Sequence, residues 1–108
     1  MTIHAGYSYH CEIRLKVSLL AVKVDTVICM DTPDRFHGSV AAIGKTASFS
    51  DGRKMGEDYV FSGTAQGITA QITCQLHEDG SITGTALAEG RTVRLSGRVL
   101  SEEKGILV

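Results

Sequence analysis

The residues able to carry chemistry are His4, His10, His37 and His77, the cysteines Cys11, Cys29 and Cys74, and a set of carboxylates in turn-like segments. A structural zinc site needs four converging nitrogen or sulfur ligands. None of these residues shows that spacing. His10 and Cys11 are adjacent on an extended segment and so point to opposite faces, and Cys74 and His77, an odd number of positions apart, diverge as well. No metal site is assigned. A nucleophilic cysteine needs a neighbour that lowers its pKa. Cys11 and Cys74 fall on inward positions, where a thiol behaves as a small hydrophobe, and nothing in the sequence positions His37 against either. Asp31, Asp34, Asp51, Glu57 and Asp58 lack the spacing of a calcium loop and read as turn-supporting residues. No catalytic residue and no cofactor is assigned.

Gly44-Lys45-Thr46 matches the end of a phosphate-binding loop, but that motif requires a glycine five positions before Gly44, where Ser39 stands. Arg94 and Arg98 share one strand face and Arg14 and Lys16 another. If those strands were neighbours, their guanidinium and ammonium groups would form a small basic patch suited to phosphate or another acidic ligand. Aromatic residues do not interleave with these charges, so a stacking platform for nucleic acid is not expected. The aromatic residues Tyr7, Tyr9, Phe49, Tyr59 and Phe61 fall on inward positions instead. They are the candidate ligand-binding residues if the interior is hollow, because an apolar pocket with a few polar points suits a small apolar ligand.

These side chains are placed by strands. From Tyr7 the odd positions read Tyr7, Tyr9, Cys11, Ile13, Leu15, Val17 and Leu19, and the even ones Ser8, His10, Glu12, Arg14, Lys16 and Ser18. That is the period-2 pattern of a half-buried strand. Beyond Leu19 the parity flips to Leu20, Val22, Val24, Ile28 and Met30. One strand from Tyr7 to Met30 would span roughly 80 Å at about 3.3 Å per residue, so the chain must bend. A bulge near Leu19-Leu20 would exchange the faces. Val17, Leu20, Ala21, Val24, Val27 and Ile28 also fit helical spacing, although the β-branched residues among them favour strand. Asp31-Thr-Pro-Asp34 then interrupts, and Asp51-Gly52, Gly67, Glu78-Asp-Gly-Ser81 and Glu89-Gly90 supply turns between later alternating runs. The short apolar end, Ile106 to Val108, could pair at an edge.

The fold class expected is all-β: an antiparallel meander of about eight strands forming a small barrel or strongly curved sheet, with room for one short helix. Residues 1–108 form one domain. The turn segments Ser48 to Gly52 and Asp79 to Ala86 resemble, in turn chemistry alone, those of small cyclase and lipocalin-like barrels, whose turn glycines separate strands around an apolar pocket. Small inward residues (Gly63, Ala65, Gly84, Ala86, Gly97) fit tight corners, bulky neighbours or a cavity. Eleven basic and twelve acidic residues leave a net charge of -1, which supplies no long-range field to attract nucleic acid or an anionic membrane. No apolar run approaches the ~20 residues needed to cross a bilayer, and the cysteines show no disulfide framework, so a cytoplasmic protein without a membrane partner is expected. Three roles remain open. The first is a homo-oligomeric interaction or assembly module using a sheet edge or the off-face residues Val27, Val60, Leu87 and Leu100. The second is a barrel binding a small apolar ligand, and the third a cyclase- or isomerase-type enzyme in which Tyr7, Tyr9 or Tyr59 orients a substrate.

Overall fold

The computed structural model describes residues 1–17, 19–65 and 67–105. The apolar end at 106–108 lies outside these residues, as do the inward side chains expected of Ala65 and Ile68. Eight antiparallel strands, β1 (Tyr7–Val17), β2 (Leu20–Thr32), β3 (Arg35–Ala42), β4 (Lys45–Met55), β5 (Asp58–Ala65), β6 (Ile68–Leu76), β7 (Ser81–Ala88) and β8 (Arg91–Lys104), follow one another around a closed barrel. β8 returns to pair with β1, with Ile13 opposite Gly97 and Leu15 opposite Leu95. The described residues contain no helix.

Two local expectations change. The parity flip after Leu19 comes from a chain reversal, not a bulge or a helix: Val17 and Leu20 are ladder partners, so β1 and β2 form a tight hairpin. Residues opposite one another in a hairpin share a face, which transfers the inward set from odd to even positions. Asp51-Gly52, expected as a turn, lies inside β4. Gly52 sits opposite Phe36 with no side chain of its own, and the Phe36 ring occupies the space where a Cβ would stand. The chain turns at Gly56 instead, which has φ 65°.

Two of the small inward residues, Gly84 and Gly97, are sites of close approach. A Cβ on Gly84 would meet the Thr73 carbonyl, and one on Gly97 the Glu12 carbonyl, both backbone groups of the adjacent strand. Removing the Cβ lets neighbouring strands bend tightly past each other, as closure of so small a barrel requires. The weakest wall lies between β4 and β5, whose ladder runs only from Met55–Asp58 to Arg53–Val60. Above it side chains close the gap: Phe49 stacks on Phe61 with centroids 4.1 Å apart, and Asp51 Oδ1 accepts the Ser62 N–H at 3.0 Å.

Candidate functional site

A meander sends alternate turns to opposite ends, giving the barrel two rims. The turns β2–β3, β4–β5 and β6–β7 form the lower rim; β1–β2, β3–β4, β5–β6 and β7–β8 form the upper one.

The lower half holds the aromatic core. Phe36 lies at its centre, 5.9 Å from Phe49 and 6.0 Å from Phe61 in edge contacts, and 6.0 Å from the tilted ring of Tyr59. Three of the five predicted ligand-binding residues, Phe49, Tyr59 and Phe61, therefore meet around a residue that the sequence analysis overlooked. Its signal was present: Phe36, Gly38 and Val40 alternate after the Pro33 turn. Tyr9 is fully buried elsewhere in the interior. Its hydroxyl accepts the His4 N–H at 2.8 Å, and burial pushes its pKa up to about 12. Tyr7 sits half-buried near the lower rim with its ring 5.7 Å from that of His4.

The N-terminal segment closes this end. The Met1 ammonium donates to the Glu78 carbonyl, and Gly6 N–H donates to the Met30 carbonyl. Between the aromatic cluster and the opposite wall remains a cavity of about 30 Å³, bordered by Ile3, Cys11, Ile13, Tyr59, Phe61 and Cys74 among others. Small-molecule sites occupy about 300–1,000 Å³; this space is nearer to that of a single water. Burial pushes the Cys11 and Cys74 thiols up to about 12, which favours the protonated thiol over the nucleophilic thiolate. Thr26 Oγ1, also fully buried, has no hydrogen-bond partner among the described residues.

Polar residues outside the core mostly support turns. Asp79 Oδ1 accepts both the N–H and the Oγ–H of Ser81, which holds its carboxyl below the usual range. Asp34 accepts from Thr32, and Asp58 from Gln75. His37, which nothing in the sequence positions against Cys11 or Cys74, contacts Asp31 Oδ2 through Nδ1 at 2.7 Å, on the same outer face as the buried Cys29 opposite it. No group of three or more His, Cys, Asp or Glu able to hold a metal occurs among the described residues.

The structure does bring the two basic strand faces together. β1 and β8 are neighbours, with Lys16 opposite Arg94, Arg14 opposite Ser96 and Glu12 opposite Arg98. Glu12 contacts Arg14 at 3.1 Å and Lys23 at 3.6 Å, and the hydrogen bond from Arg14 keeps its carboxyl below the usual range. Lys16 and Arg94 have no carboxylate within ion-pair distance among the described residues. They border a groove of about 350 Å³ together with Arg14, Leu19 and Leu20. No protein family, curated protein or solved structure matches this chain. Any functional reading therefore rests on the barrel's own geometry.

Proposed function

We propose that this protein is a non-catalytic interaction module, acting through the outside of its barrel and assembling with further copies of itself. The observation carrying this reading is the contrast between a lower interior filled by aromatic rings, whose cavity holds about 30 Å³, and large apolar side chains left outside, among them Met55, Leu87 and Leu100. A ligand-binding or enzymatic barrel of this class would hold its ligand inside, where the aromatic cluster stands.

The outer wall offers two features suited to association. The extra residue in β8 opposite His10, where the β1–β8 register shifts, is Leu100; it and Val27, the partner of His10 on β2, place an apolar side chain on either side of His10. Beyond Arg53–Val60, β4 and β5 are joined by side chains, and this stretch is the nearest thing to a sheet edge among the described residues. Sedimentation analysis tests the reading. A dimer or larger species is expected, burying more than ~1,000 Å² and dissociated by Leu100→Glu. A monomer at all concentrations would overturn the assembly role.

A further inference from the structure

The near-neutral charge conceals a segregation. Lys16, Lys23, Lys45, Arg91 and Arg94 lie within the last turns of strand at the upper rim, with Arg14 just behind them and Glu89 the one carboxylate in the four turns. Asp31, Asp34, Glu57, Asp58, Glu78, Asp79, Glu102 and Glu103 lie toward the lower rim, where they outnumber the cations Arg35, Arg53, Lys54, Arg98 and Lys104, while Asp25 lines the upper groove beside Lys23 and Lys45. From the cationic rim project three large apolar residues on two hairpins: Leu19, 98% exposed, Leu20, 71%, and Ile43, 86%.

Two features of this rim cost stability. Ile43 has φ 52° and is followed by Gly44 at φ 72°, a turn geometry that favours Asn, Asp or Gly and penalises a β-branched side chain. Its exposed side chain returns no burial to offset that strain. Lys16 faces Arg94 directly across the β1–β8 ladder, and like charges so placed repel. Arg35 likewise faces Arg53 in the lower half, but that end carries most of the protein's carboxylates. An exposed apolar side chain kept in a strained turn beside unneutralised like charges points to a ligand that buries the one and pairs with the others.

We infer that the upper rim docks on an anionic lipid bilayer, with Leu19, Leu20 and Ile43 entering the interface and Arg14, Lys16 and Arg94 contacting lipid phosphates. A bilayer accepts protruding apolar tips of any outline, whereas a folded partner needs a matching pocket for each. The groove beside Leu19 and Leu20 joins cations to aliphatic carbon, as an anionic amphiphile requires. The acidic lower rim is repelled by the same surface, so the charge separation orients the barrel with its tips toward lipid. This surface is distinct from Val27 and Leu100, and its docking does not depend on self-association. The barrel rests on the bilayer; among the described residues no helix is long and apolar enough to cross it.

Co-sedimentation with phosphatidylcholine vesicles, with and without roughly one-third phosphatidylserine, tests the inference. Binding is expected only to the anionic vesicles, and is expected to be lost near 1 M salt, where the Debye length falls to about 3 Å. Leu19→Asp with Ile43→Asp, and separately Lys16→Glu with Arg94→Glu, should each weaken it by about tenfold or more while far-UV circular dichroism stays unchanged. Equal binding to uncharged vesicles, or unaltered binding by either folded variant, would overturn the proposal. So would self-association abolished by these variants without any vesicle binding, which would assign the rim to a second copy.

Discussion

The two ends of the barrel solve opposite problems. At the lower end Phe36, Phe49, Tyr59 and Phe61 fill the interior and the segment from Met1 to Gly6 covers it. At the upper end the inward positions carry aliphatic residues such as Leu15, Val24, Val40 and Val93, which are only half-buried, and Val17 and Leu20 open to solvent. The lower end concentrates stability; the upper end retains arrangements that cost it. Substitutions should therefore behave differently at each, damaging the fold below and altering surface behaviour above.

The largest effect is expected from Phe36→Ala. Removing the ring at the centre of the aromatic cluster should cost about 3–5 kcal/mol, read from urea unfolding. A loss below about 1 kcal/mol would mean that the lower end is loosely packed and that the contrast between the ends is false. Gly97→Ala comes next. Its new Cβ would press on the Glu12 carbonyl across the β1–β8 seam, so a loss of about 1–3 kcal/mol is expected.

Two substitutions should stabilise the barrel. Thr26→Val removes a buried hydroxyl without a partner among the described residues while preserving shape, and should gain about 1 kcal/mol. A loss instead would reveal that the hydroxyl is bonded within the interior. Ile43→Asn relaxes the upper-rim turn and should gain up to about 1 kcal/mol while weakening vesicle binding. Stability and docking changing in opposite directions at one residue would sharpen the division between the ends.

The alternation from Tyr7 to Val17 was enough to read β1, and the regular Gly-containing turns of the second half were enough to read the meander and its approximate strand number. Local pattern could not separate a hairpin from a bulge at Leu19-Leu20, because either one exchanges the faces. Nor could it show that Asp51-Gly52 continues a strand, since the reason is a ring contributed by Phe36 from the adjacent strand. The basic patch was legible only conditionally: Arg14 and Lys16 stand far in sequence from Arg94 and Arg98, and barrel closure is what joins them. Of the candidate interior residues, the inward placement of Phe49, Tyr59 and Phe61 was readable. Whether they enclose a space or fill it depended on Phe36 and on the Cβ-free approaches at Gly84 and Gly97.

The proposal that the protein works from its outside is tested most directly by the thiols of Cys11 and Cys74, which both line the small cavity. Burial raises both to about 12 from the ordinary 9.0. Treatment of the native protein with a small thiol reagent near pH 8, followed by peptide mass spectrometry, should leave both unmodified, and both should react once the barrel is unfolded. Rapid modification of either cysteine in the native barrel would show an interior open to ligands and contradict this account.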